Sequence, residues 1–280
     1  MPDAAEQSEK PRIDRSTVAG LALALTGIIG GLLLEGGRLG DITQLTAAMI
    51  VLGGTFGAVM VTTPMPVFTA ALKALPSVFW LPPTSSKQLL QDILRLAAKA
   101  RRTGIIALES DLEEISNPFF RKALRLAIDG ADLKVVRRIM ELEIDSAEAK
   151  GEAEAKVFEA AGGYAPTVGI IGAVLGLIQV MKHLDDIEAV GHGIAVAFVA
   201  TVYGVFVANI FFLPIANKLK ARLQRSIQLR EMALEGVIAI SEGMNPKLIE
   251  SQLERFYDGD ERDTEQRVPT ARPSRGRIAA

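Results

Sequence analysis

The chain has no cysteine among its 280 residues, which excludes disulfides, thiolate metal ligands and thiol nucleophiles together. Aromatic residues make up only 5% of it, with a single tryptophan, against a hydrophobic share of 49% and a mean hydropathy of +0.26. That is too apolar for an average soluble protein. Yet 23% of the chain is charged, so membrane and aqueous parts must be segregated along the sequence. Charge is missing from four stretches in particular. The apolar cores at 17–34, 45–63, 164–181 and 193–213 contain no Asp, Glu, Lys, Arg or His. Each is long enough to cross a hydrocarbon layer of roughly 30 Å as a helix. Buried helices of a soluble bundle would show a polar stripe instead. The missing ionisable groups carry a second exclusion, because a pump or proton relay needs one within the membrane. The chain therefore either transports nothing or surrounds a partner helix that supplies a carboxylate. Nothing in the pattern points to an enzyme, a cofactor, a metal site or a nucleic-acid partner.

What charge there is sets the orientation. Of the 31 basic residues, 29 lie in the arm up to Arg15, in the segment 64–163 or after residue 214, and only Arg38 and Lys182 fall in the short connections. By the positive-inside rule both termini and the long middle segment are cytoplasmic, and the connections near 35–43 and 182–192 face outward. The first apolar stretch differs from a signal peptide: its leader mixes acids with bases and no small-residue cleavage site follows "LLLEGG". It reads as a retained anchor.

The fold class expected is all-α, a polytopic membrane protein with four transmembrane helices and a helical cytoplasmic domain between spans 2 and 3. In order, the parts are a cytoplasmic arm (1–15), a transmembrane hairpin (16–63), a cytoplasmic domain (64–163), a second hairpin (164–215), a cytoplasmic helix (216–257) and a disordered tail (258–280) whose composition offers nothing to bury. Within the cytoplasmic domain, Phe79 and Trp80 between prolines suggest a stretch at the membrane surface. Ser85 with Gln88 makes a capping-box pattern ahead of a helical run. Helices are predicted at 105–116, 119–129 and 132–160, broken at Asn117-Pro118 and Asp129-Gly130, and the last should lead straight into the third span.

The third span, "YAPTVGIIGAVLGLIQVM", gives up side chain to an unusual degree. Gly172 and Gly176 form a small-xxx-small pair, as do Gly169 and Ala173. Such a face permits close helix approach in lipid. It could pack within the chain's own four-helix unit, or it could line a surface that another subunit's helix moves against. The polar residues of the spans, among them Thr55, Thr62, Thr167, Thr201, Tyr203 and Asn209, are few, and an intramembrane Thr usually bonds to its own helix.

Three long segments, "GGLLLEGGRLGDI...AAMIVLGGTFGAVMV", "APTVGIIGAVLGLIQVM" and "GIAVAFVATVYGVFVANIFFLPIANKLKAR", closely resemble the A subunit of the bacterial flagellar motor stator, the MotA/PomA family. The likeness covers all four spans and the cytoplasmic domain. It implies a multi-pass protein of the inner membrane, in a homo-oligomer expected to be a pentamer around a dimer of a B subunit. That B subunit carries a peptidoglycan-binding domain and a transmembrane aspartate, which is the carboxylate this chain lacks. By the same resemblance Pro166 and Pro214 match the two prolines at the base of the channel. Thr201 matches a threonine facing the partner's aspartate, and Tyr203 stands in the same "VATVYG" motif. Arg101 and Glu109 in "AKARRTGIIALESDLE" match charged positions that engage the rotor's switch protein. Sodium-driven members carry a threonine seven residues after the first proline, where this chain has Ala173. The expected coupling ion is thus the proton. Two alternatives stay open: an ExbB/TolQ-type energy-transducing subunit, which has three spans with the large domain after the first, and a passive membrane scaffold.

Overall fold

Asp14 opens the first long helix. In the computed structural model, which describes residues 12–81 and 86–257, its carboxylate caps α1 (Arg15–Leu34) by accepting from the amides of Ser16 and Thr17. Two N–H groups that a helix start leaves without partners are thereby satisfied. A single turn at Leu39–Ile42 precedes α2 (Leu45–Thr62), and α3 (Met65–Ala74) follows. Among the described residues the strands are those of a minimal antiparallel ladder, β1 (Arg12–Ile13) and β2 (Trp80–Leu81), with Ile13 opposite Trp80.

Glycine and asparagine then punctuate the chain. α4 (Ser86–Thr103) ends at Gly104, whose φ of 86° is the left-handed conformation that favours glycine. α5 (Pro118–Ile128) is capped by Asn117, which accepts from the amides of Phe119 and Phe120. It is followed by α6 (Leu133–Lys182), α7 (Ile187–Ser241) and α8 (Pro246–Tyr257). The four apolar cores fall one each in α1, α2, α6 and α7, and all four helices are long and apolar enough to cross a membrane. The charged helix expected at 132–160 and the third span are one continuous helix.

Two expectations are corrected. Residues 105–114 form a 3₁₀ run rather than an α-helix, between the left-handed Gly104 and the extended Ile115. The single helix expected at 216–257 is broken after Ser241. Gly243 takes a φ of 68° there, its amide bonds to the Ile240 carbonyl and that of Met244 to Ala239, the paired bonds of a Schellman ending. Asn245 then caps α8 through its side chain. The capping box at Ser85 and the tail from 258 lie outside the described residues.

α2 and α7 each contain one π turn, Met49–Gly53 and Val207–Phe212. The second ends at Phe212, one residue short of the Leu213-Pro214 step. Proline offers no amide and its ring crowds the carbonyl four residues back, so a locally widened turn relieves the clash and lets the helix continue.

Among the described residues packing divides the chain into two units, 12–81 with 146–225 and 86–145 with 226–257. In the first, a core of small and aromatic residues joins α2, α3, α6 and α7, including Val59, Ala71, Phe158, Ala165, Ala208 and Phe212. Phe56 meets Phe212 edge to face at 5.8 Å. α1 contributes no buried residue. In the second unit α4 packs against the 3₁₀ run and against α8. Ile93, Leu96, Leu108, Phe120, Leu124, Met140 and Leu253 are buried completely. Each such side chain is worth about 1.5–3 kcal/mol. Arg137 binds Glu235 at 2.9 Å in this unit, and that hydrogen bond, with Glu235's charge, raises the guanidinium's pKa against the opposing effect of burial.

Candidate functional site

The glycines of the third span are spent inside the chain. A Cβ at Gly169 would stand 2.9 Å from the Ala200 carbonyl and 3.2 Å from the Cα of Gly204. At Gly172 it would stand 2.8 Å from the Ala200 Cβ, and at Gly176 2.9 Å from the Ala197 amide and from the Gly193 carbonyl. All three glycines are buried. α6 and α7 thus run antiparallel, backbone against backbone, with residues 169, 172 and 176 facing 204, 200 and 197. Of the two possibilities left open for this face, packing within the chain is the one these three glycines make. The physical reason lies in the partner: Gly193/Ala197 and Ala200/Gly204 are small-xxx-small pairs on the fourth span, so two bare faces close on one another. That complementary spacing was legible in the sequence.

Bulk is on the other sides of the seam. Ile170, Ile171, Val174, Leu175 and Ile178 of α6 and Phe198, Val202 and Val205 of α7 are exposed. Pro166, Ala173 and Thr201 are half-buried beside the seam, and Pro214 is exposed. The Thr201 hydroxyl donates to the carbonyl of Ala197 at 3.2 Å and keeps its acceptor lone pairs. Thr62, Thr167 and Asn209 likewise bond to carbonyls of their own helices. Thr55 is the exception, fully buried with a hydroxyl that has no partner among the described residues.

Tyr203 does different work. Its hydroxyl donates to the Ile42 carbonyl and accepts from the Gln44 amide at 3.2 Å, tying the fourth span to the connection ahead of α2. Pro214 lines a crevice with the start of α1. The structure thus joins Gly169, Gly172 and Gly176 to α7 near Thr201, whereas Tyr203 points to α2 and Pro214 to α1.

A polar cluster at the start of α1 went unread in the sequence. Lys218 pairs with the Asp14 carboxylate, and Arg222 reaches the same oxygen at 3.2 Å while donating to the carbonyls of Trp80 and Val78. Burial pushes the Asp14 carboxyl up, but hydrogen bonds from Lys218, Ser16 and the Thr17 amide, with the charge of Lys218, outweigh it and hold it well below the usual carboxylate range. The available signal was an Asp directly ahead of an apolar helical run, a cap pattern. Its cationic partners, some two hundred residues on, had none.

Arg101 and Glu109 belong to the second unit. Gly104 stands between them, so Arg101 lies in the last turn of α4 and Glu109 on the 3₁₀ run, both exposed. Their neighbours are paired within the unit: Arg95 with Asp92 and Glu114, and Lys99 with Asp111. Among the described residues neither Arg101 nor Glu109 has an ion-pair partner. Burial raises the Asp92 carboxyl against the lowering effect of Arg95.

Comparison with known proteins gives one consistent result. Residues 18–104 match the family described as Motility protein A N-terminal, and residues 111–232 match the MotA/TolQ/ExbB proton channel family. The chain is 34% identical to Motility protein A of Bacillus subtilis over 255 residues, covering 89% of this chain and 93% of that one. It is 33% identical to Chemotaxis protein PomA of Vibrio alginolyticus, covering 90% and 99%. Its fold superposes on the structure of C. jejuni MotAB with a TM-score of 0.85 at 34% identity, covering 89% of this chain and 97% of that one. The chain belongs to the motility protein A family, the A subunits of the flagellar motor stator.

Proposed function

We propose that this stator subunit conducts protons together with a B subunit and converts their flux into torque on the rotor. As a family member it is a multi-pass inner-membrane protein that works with a B subunit, in a channel-like assembly rather than as an enzyme. The observation that carries the proposal is the absence of any Asp, Glu, Lys, Arg or His from the four apolar cores. A titrating carboxylate must then come from the partner, and the A subunits, five around a B dimer, supply the surrounding walls. Both termini and the segment 64–163 lie in the cytoplasm by the distribution of basic residues. Pro166, Ala173, Thr201 and Pro214 are the positions assigned to the conduction path. Arg101 and Glu109 are assigned to the rotor: exposed, and without ion-pair partners among the described residues, they can meet complementary charges that give steering and register without slow-releasing burial. Proton coupling rests on Ala173, because sodium needs several oxygen ligands to replace its hydration shell and one hydroxyl per subunit is absent there.

The experiment is flux in sealed vesicles containing the chain with and without its B subunit, driven by a proton or a sodium gradient. We expect proton-driven flux that requires the B subunit and does not change when choline replaces sodium. Flux that follows sodium would overturn the ion assignment, and no flux under either gradient would leave a passive scaffold.

A further inference from the structure

A crevice of about 440 Å³ separates the start of α1 from the middle of α7. Its walls are apolar, with Leu21 and Ala24 on one side and Phe211 and Ile215 on the other, and Thr17 and Lys218 stand at the end nearer the start of α1. Among the described residues nothing fills it. α1 has no buried residue, and Gly20, which lines the crevice, has no atom within 4 Å of where a Cβ would stand.

Charge at the polar end is unbalanced. Among the described residues one carboxylate, Asp14, faces two cations, Lys218 and Arg222, which leaves an excess of one positive charge. Asp14 itself occupies the amides that open α1, so the helix end is not free to take an anion. The terminal nitrogens of the guanidinium are committed to Asp14, Trp80 and Val78, and its Nε is buried without a partner among the described residues. Among the described residues Lys218 makes one ion pair, with Asp14, and an ammonium carries three donors. Two donors and one uncompensated charge are therefore left beside an apolar slot cut into two membrane-spanning helices. An amphiphile with an anionic head and an acyl tail complements both ends. A zwitterionic lipid offers the same phosphate and tail but adds a cationic headgroup that the excess positive charge disfavours.

We propose that the crevice holds one acidic phospholipid per chain, its phosphate on Lys218 and Thr17 and an acyl chain along Leu21, Ala24 and Phe211. It comes from the leaflet in which α1 begins, the cytoplasmic one in the orientation proposed above. The site would secure α1, which the protein core does not hold along its length.

The test counts lipids on the intact A–B complex. The complex is purified, exchanged into nanodiscs of phosphatidylcholine containing phosphatidylglycerol, released and weighed by native mass spectrometry. We expect one retained phosphatidylglycerol per A subunit. Ala24→Trp fills the slot without touching the charged cluster and should remove that lipid. Leu23→Trp, on a side chain that is 75% exposed, should keep it. Lys218→Gln should weaken phosphatidylglycerol retention roughly fivefold, the order of one cation's contribution, and leave phosphatidylcholine unchanged. The same spectra report assembly and the same preparation serves the flux assay, so loss of the lipid site and loss of the stator reading are scored separately. Equal retention in Ala24→Trp, equal preference for the two lipids, or a photo-crosslinker at residue 24 joining a neighbouring copy's helix in place of lipid would each overturn the proposal.

Discussion

α1 and α6 are both apolar and both rich in glycine, and they use it in opposite ways. A Cβ at Gly20, Gly27, Gly30 or Gly31 of α1 would meet no atom within 4 Å, whereas one at Gly169 or Gly176 of α6 would press on the backbone of α7 at 2.9 Å. The four-residue glycine spacing shared by Gly172/Gly176 and Gly27/Gly31 is thus a closed seam in one helix and an open face in the other. In lipid, where burial from water does not drive helices together, close approach supplies the attraction through dispersion. α6 and α7 are held along their length. α1 is held at its end, by Asp14, Lys218 and Arg222.

The largest effect is expected where α1 is anchored. Asp14→Ala removes a buried carboxylate and leaves two cations facing each other, a change that costs about 3–5 kcal/mol in comparable buried pairs. Hydrogen exchange should show it as loss of protection concentrated in α1. An unchanged α1 would mean that its side, not its end, holds it. The pH dependence follows from the lowered carboxyl. Its contribution is present above the unfolded value of about 3.9 and is lost only as pH falls through the lower folded value. Stability from this group should therefore stay level from about pH 5 upward, with loss confined to strong acid.

Next comes the seam. Gly204→Ala would place a methyl 2.5 Å from the Ala165 carbonyl, and overpacking of this kind costs about 1–3 kcal/mol. Gly27→Ala in α1 should be neutral or stabilising by up to about 1 kcal/mol, from helix propensity alone. Thermal unfolding of both variants in the same detergent makes the comparison, and equal shifts would erase the distinction between seam and open face.

The smallest effect is expected at the tie between α7 and the connection before α2. Tyr203→Phe removes two hydrogen bonds, worth about 1–2 kcal/mol together. The unfolding midpoint should fall modestly, with α1 protection unchanged.

What the sequence revealed and what it hid divide along the same physical line. Local signals were legible: the apolar cores of the four spans, the stops at Asn117-Pro118 and Gly130, and the continuous helix from the charged segment into the third span. Each depends on residues within a few turns of one another. The break at Gly243 was as local but stands in an otherwise helical pattern, where a glycine is also tolerated. Pairings across the chain were harder to see. The apposition of Gly169 and Gly204, of Asp14 and Lys218, and of Tyr203 and Ile42 depends on which faces meet. Only the seam had a readable clue, in matching small-residue spacing on both partners. The resemblance supplied roles for Arg101, Glu109, Pro166, Thr201 and Pro214. The geometry contributes their exposure and bonding.

The central claim is that the α6–α7 seam is a fixed wall within each subunit, so that motion during ion passage is confined to other faces. Because the chain has no cysteine, a designed pair can be oxidised without background. A Cβ at position 172 would lie 2.8 Å from that of Ala200, close enough for a disulfide after slight relaxation. Gly172→Cys with Ala200→Cys should swim when reduced and, once oxidised to an intramolecular crosslink, continue to rotate the flagellum at the same speed. Reduced cells that swim and oxidised cells that stop, with recovery on adding reductant, would show that the seam opens in each cycle and contradict the account.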